Sequence, residues 1–233
     1  MCTMTWWRDG ENYGVLFNRD ELKTRARAEP PEPLTTDEGI QYLSPRDPVA
    51  GGSWMLVNQH RVTVCLLNRW HESAQTNDTF ESRGLLVTAM ASCTNAEEVM
   101  ARVKKVDHAR YRPFTLVALD PGDIQAGAWN GEILTHEVVT PPLTSSSYRF
   151  PEVSESRIRT LTQLPELDSK NLQMYQQGAS PATAYTVRMN RPDAQTWSRS
   201  HINVSADRIH WEYIEENADL IGNGTVHTSE LAL

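Results

Sequence analysis

Short runs of β-branched, aromatic and aliphatic residues, each broken by turn chemistry, dominate the first third of the chain. Cys2 to Trp7 and Tyr13 to Phe17 read as strands joined through Asp9-Gly10-Glu11-Asn12, a hairpin that brings Cys2 and Asn18-Arg19-Asp20-Glu21 to one region of a sheet. Residues 29 to 39, with three prolines, are predicted as a surface loop. A second hairpin runs Ser53 to Val57, then Arg61 to Leu67, and ends on Asn68. The period then changes. Ser82 to Ala91 and Ala96 to Val106 read as helices, the second with an apolar stripe of Ala96, Val99, Met100, Val103 and Val106 and a capping box from Thr94 to Glu97.

Strand patterning returns at Phe114 to Leu119, Ile124 to Trp129 and Glu132 to Val139, the last two flanking an Asn130-Gly131 turn. Short helices follow at Ser154 to Leu164 and Asn171 to Gln177, then strands at Thr183 to Met189, Ser200 to Val204 and Ile209 to Ile214. Neither a repeat nor a linker divides the chain, so residues 1–233 are expected to form a single domain. Strands, helices, then strands and helices again predict the α+β class with mainly antiparallel sheets. A four-layer αββα sandwich fits the order of elements.

Composition narrows the function classes. With 233 residues, 39% of them hydrophobic, the chain has core enough to need neither a structural metal nor disulfides. Thirty acidic against 22 basic residues give a net charge of -8, which repels polyanions and argues against nucleic-acid binding. The three cysteines, Cys2, Cys65 and Cys93, lie far apart with no CxxC or Cys/His cluster, so no metal site is expected and reduced, cytoplasmic usage is. The amino terminus lacks the charge and apolar pattern of a signal peptide, and no apolar run approaches the roughly 20 residues of a membrane span.

Candidate chemistry concentrates at the amino terminus. Removal of Met1 would leave Cys2 with a thiol and a free α-amine, so that one residue holds both nucleophile and base, the amine titrating near 8. Arg19 at the end of the neighbouring strand can lower the thiol pKa, and Asp20 can orient the amine. Asn68, ending the second hairpin, could donate its amide to an oxyanion. Cys65 in an apolar strand and Cys93 between helices read as packing residues.

Met1-Cys2, Asn18-Arg19-Asp20-Glu21, Gly51-Gly52-Ser53-Trp54 and Leu67-Asn68 together resemble the NRDE family of transport and Golgi organization 2-like proteins. The resemblance is clearest over residues 1 to about 90. It implies an N-terminal nucleophile hydrolase fold similar to penicillin V acylases and bile salt hydrolases, with Cys2, Arg19, Asp20 and Asn68 at catalytic positions and hydrolysis of a small amide C–N bond. Arg19 and Asp20 are adjacent here, whereas the acylases separate the two. The acylases' second Asn finds no match; Ser145-Ser146-Ser147-Tyr148-Arg149 falls in its place, and Arg199 is the candidate for their late Arg.

The resemblance also implies an alternative, non-catalytic function in intracellular haem trafficking. Haem needs an apolar cleft with a Cys or His ligand. Cys2, His60, His71 and His201 are the candidates, with Trp6, Trp7, Trp54 and Trp70 as possible cleft walls. Asn18, Glu21, Trp54, His71 and Arg199 are the expected substrate- or haem-binding positions. Small molecules are thus the expected partners, with haem as cofactor under the alternative and none under hydrolysis.

Overall fold

A computed structural model describes residues 2–69, 80–217 and 224–233. The chain divides into two compact units. One comprises Met1–Arg27, Thr140–Val204 and His210–Thr228, and the other Ala28–Val139, Ser205–Ile209 and Ser229–Leu233.

The first unit is organised by β1 (Cys2–Asp9) and β2 (Asn12–Leu22), paired antiparallel with Cys2 opposite Arg19 and Asp9 opposite Asn12. Strand β2 is buried without interruption from Tyr13 to Asp20. A strand buried on both faces carries no apolar-polar alternation, and Asn18, Arg19 and Asp20 therefore enter the interior, where each needs a partner. The period of two sorts them. Thr3, Thr5, Leu16, Asn18 and Asp20 share one face; Cys2, Met4, Phe17 and Arg19 share the other.

Short β10 (Leu143–Ser145) pairs antiparallel with β1, and β11 (Ala194–Val204) pairs antiparallel with β2, with a register shift between Thr196 and Ser198. The sheet continues through β12 (Arg208–Glu215) and β13 (Thr225–Ala232) in the order β10-β1-β2-β11-β12-β13. Helices α3 (Phe150–Leu161) and α4 (Ser169–Gln177) cover the Leu16 face, where Leu16, Leu161, Leu172, Tyr175 and Val187 form one apolar cluster. Asp168 caps α4 by accepting from the Asn171 N–H at 2.7 Å.

The second unit is built on β3 (Glu29–Thr35), β4 (Gln41–Arg46), β5 (Met55–Asn58), β6 (Thr63–Asn68), β7 (Phe114–Leu119), β8 (Ile124–Trp129) and β9 (Leu134–Glu137). They form one antiparallel meander in sequence order. Helices α1 (Gly84–Thr88) and α2 (Ala96–Lys104) pack on it; Ala96, Val99, Met100 and Val103 meet Val64, Leu66, Leu116 and Ala118. The Asn130-Gly131 turn forms as expected, with Gly131 at φ 104°.

These mainly antiparallel sheets bear out the α+β expectation. Three local expectations need correction. Residues 29 to 35 form β3 rather than a loop, because β3 lies at the edge of its sheet, where prolines that cannot donate to a ladder are tolerated. Residues 183 to 189 form turns rather than a strand: Thr186 donates its hydroxyl to the carbonyls of Thr183 and Arg188, while Val187 and Met189 are buried by packing. The cap of α2 is Asn95, whose Oδ1 accepts from the Glu98 N–H at 2.8 Å, and Glu98 rather than Glu97 reaches back to the Thr94 N–H. Strands β4, β10 and β13 had no sequence counterpart. Among the described residues no helix is long and apolar enough to cross a membrane.

Candidate active site at the head of the first strand

Cys2 begins β1 and is buried. Its backbone N–H donates to Ser145 Oγ at 2.9 Å across the β1/β10 pairing, a contact that would pass to the α-amine once Met1 is removed. Burial pushes the Cys2 thiol up; the charge of Asp20 adds to this, while the Arg19 guanidinium and the backbone N–H of Asp20 act in the opposite direction. A thiol so placed is protonated at neutral pH. It attacks only if a base beside it takes the proton as it does so.

Asp20 lies on the opposite face of the hairpin from the Cys2 side chain and is buried. Thr196 donates its hydroxyl to Asp20 Oδ1 at 2.6 Å, and Arg157, from α3, places Nη2 3.2 Å from Oδ2. The other terminal nitrogen of Arg157 donates to Thr3 Oγ1 in a short contact, so one guanidinium spans the residue after the nucleophile and the carboxylate. Burial raises the Asp20 pKa, opposed first by the charge of Arg157, then by the amino-terminal charge and the Thr196 hydroxyl. Arg157 is itself only 1% exposed, and a buried pair of this kind is strongly destabilised when one partner is deleted.

Each of the other expected positions has its own surroundings within its unit. Asn18 shares the Asp20 face, and its amide donates to the carbonyls of Gln176 at 3.0 Å and Val187 at 3.1 Å, tying β2 to α4 and the segment after it. Glu21 lies 3.6 Å from Arg19 and is partly exposed. Arg199, opposite Asn18 on β11, bonds the buried Glu216, which also pairs with Arg188 at 3.1 Å. His201 is engaged at both ring nitrogens, by Ser169 Oγ at 3.3 Å and Gln173 Nε2 at 3.1 Å, and its burial lowers its pKa. The other unit holds exposed Asn68 at the end of β6, buried Trp54 before β5, and half-buried His60 in the β5–β6 turn. Trp70 and His71 lie outside the described residues. Cys65 and Cys93 are fully buried, and burial pushes the Cys93 thiol to about 11.

Thr3, Arg157 and Thr196 were not singled out from sequence, and Ser145 was named only within the segment that falls in the place of the acylases' second Asn. Only Arg157 left a signal there, as a charge on the stripe that buries Val153 and Leu161 of α3. Two residues beyond Ser145, a cleft of about 870 Å³ opens, its walls including Ser147, Tyr148, Ala184, Asn190 and Arg191. The Tyr148 ring lies 5.4 Å beneath the Arg191 guanidinium.

The sequence model of the family described as Transport and Golgi organisation 2 matches residues 1–147, more than half of the chain. The chain belongs to that family. No curated protein matches it in sequence. Solved structures do match this Transport and Golgi organisation 2 member. Penicillin V acylase from Agrobacterium tumefaciens superposes with a TM-score of 0.55 at 11% identity, over 98% of this chain and 90% of that one. The Caenorhabditis elegans ortholog of N-acylethanolamine-hydrolyzing acid amidase gives 0.61 at 8% identity, over 87% and 92%. A mutant conjugated bile acid hydrolase from Clostridium perfringens gives 0.55 at 11%, over 98% and 96%. At these identities the likeness shows the fold alone, that of the N-terminal nucleophile hydrolases, whose architecture is the αββα sandwich.

Proposed function

We propose that this family member is an N-terminal cysteine hydrolase that cleaves a small amide C–N bond after loss of Met1. The observation that carries the reading is the first-unit hairpin. It buries Cys2 opposite Arg19, sets Ser145 as acceptor for the Cys2 nitrogen, and holds Asp20 between Arg157 and Thr196. The matched structures, whose names include an acylase, an amidase and a hydrolase, support the same class of reaction.

The chemistry balances with the residues of that hairpin. The Cys2 α-amine takes the thiol proton as sulfur bonds to the carbonyl carbon, and the carbonyl π electrons move to oxygen. Collapse of this tetrahedral species breaks the C–N bond, and the ammonium returns the proton to the leaving amine. Water then attacks the Cys2 thioester, gives its proton to the α-amine, and releases the acid and the thiol. The raised thiol pKa requires the base to be this close, and Ser145 is placed to orient it. Arg19 offsets negative charge at the sulfur.

Haem binding draws no support from the first unit. Both nitrogens of His201 are already engaged, so it offers no free axial ligand.

The test uses p-nitrophenyl acetate on the purified protein, with release of p-nitrophenolate and peptide mass read together. Acetylation of Cys2 well ahead of Cys65 and Cys93, lost in Cys2→Ala, is the expected result. Equal modification of the three cysteines, or none, overturns the reading.

A further inference from the structure

We infer that Arg157, reaching from α3 onto the sheet face that this helix covers, is the positioning residue that keeps Asp20 an anion and thereby sets the pH range over which the Cys2 α-amine and thiol are competent. The inference rests on the hydrolase reading above and adds to it a residue that neither the NRDE motif nor the position of the nucleophile indicates.

Three observations carry it. Asp20 is buried, so water does little to stabilise its charge. Arg157 is equally buried and bridges Asp20 Oδ2 and Thr3 Oγ1, so one cation contacts both strands of the hairpin within a residue of Cys2 and of Arg19. Tyr175 of α4 donates its hydroxyl to the Arg157 carbonyl at 3.1 Å, fixing the helix from which the guanidinium reaches. A surface ion pair would be arranged otherwise; this one is anchored at both ends in the interior.

From α3 Asp20 meets Arg157, from β11 the Thr196 hydroxyl, and ahead of β1 the charge of the chain's amino terminus; Arg19 lies on the other face of β2, paired with Glu21. Tyr175 acts only behind Arg157, and burial keeps its phenol neutral. Of these, Arg157 places a guanidinium in direct contact with the carboxylate. Without it, burial loses its strongest opponent, and the carboxyl takes up a proton at a pH where the wild-type group is ionised. A protonated Asp20 no longer offers the carboxylate that orients the amine, so Cys2 reactivity falls through the range in which that carboxyl is protonated and its acid limb moves to higher pH. Removing an opposite charge at this range shifts a carboxyl by about one to three pH units.

The experiment measures the rate of Cys2 acetylation by p-nitrophenyl acetate from pH 4.5 to 9 in wild type, Arg157→Met, Arg157→Lys and Thr196→Val, with circular dichroism confirming that each is folded. Arg157→Met is expected to move the acid limb up by about one to three units, a loss of tenfold or more at the wild-type midpoint. Arg157→Lys restores the charge but not the two-ended contact, so its limb lies near wild type although its maximal rate is lower. Thr196→Val removes one hydrogen bond to the carboxylate and moves the limb upward by less; it keeps the test decisive should Arg157→Met fail to fold. A limb unmoved in the folded variants overturns the role of Arg157 while leaving Cys2 the nucleophile. A wild type that does not acetylate Cys2 overturns the hydrolase reading, and this inference with it.

Discussion

Asn18, the first residue of the NRDE motif, offers a sharp test of which motif positions serve chemistry and which serve the fold. Its buried amide bridges the carbonyls of Gln176 and Val187, while Gln176 reaches back to the carbonyls of Phe17 and Ser200. The two side chains thus lock the central strands to α4 in both directions. Asn18→Ala removes both donors and leaves two inward-facing carbonyls without them. At about 1–3 kcal/mol per orphaned group, reduced where water reaches the end of α4, the expected loss is about 2–4 kcal/mol. Urea denaturation followed by tryptophan fluorescence and by circular dichroism measures it. Asn18→Asp keeps the shape but aims a carboxylate at two carbonyl oxygens, so it is expected to be worse at pH 7 and to recover in acid, where the protonated carboxyl can donate. The folded Asn18→Ala protein should still acetylate Cys2. A loss below about 0.5 kcal/mol together with abolished acetylation would refute the structural role, since the midpoint of the fold would then not depend on the bridge.

A Cβ at Gly52 would sit 2.5 Å from the Gly84 carbonyl carbon, so Gly52→Ala must displace the start of α1 and should cost about 1–3 kcal/mol, read as a lower Tm; an unchanged Tm would show that the contact is not tight. His201 has a folded pKa below its ordinary 6.5 because it is buried, so the unfolded chain binds the proton first as pH falls. Its contribution is therefore full above 6.5 and declines below it, and His201→Gln should flatten the stability profile below about pH 6.5; parallel profiles would contradict this. Cys93, with its thiol pushed to about 11, should resist iodoacetamide at pH 7.5 in the folded protein and react only on unfolding. Fast labelling of native Cys93 would place it outside the packed core.

The hairpin of β1 and β2 was readable because aromatic and β-branched runs flank a Gly-containing turn, and the same signals located β7 and β8 to the residue. Strand β3 was hidden by prolines that a central strand would not accept but an edge strand does. Strands β4 and β10 were too short or too polar to show a period, and their pairing comes from neighbours distant in sequence. At the site, the motif pointed to Cys2, Arg19 and Asp20, and register alone places Cys2 against Arg19. What it did not reveal was the face on which each side chain falls. Asn18 and Asp20 turn toward α3 and α4, so their partners Gln176 and Arg157 stand about 140 to 160 residues away. Local patterning carries no trace of contacts that long-range packing creates, except where a charge such as Arg157 interrupts an apolar stripe.

The central claim is that Cys2 acts with its own α-amine, and the intact mass of the protein purified from cells tests it most directly. A mass short by one methionine residue, with no acetyl group added, is the predicted result. A mass that retains Met1 contradicts the account, because the Cys2 nitrogen would then be a peptide amide with no lone pair basic enough to take the thiol proton.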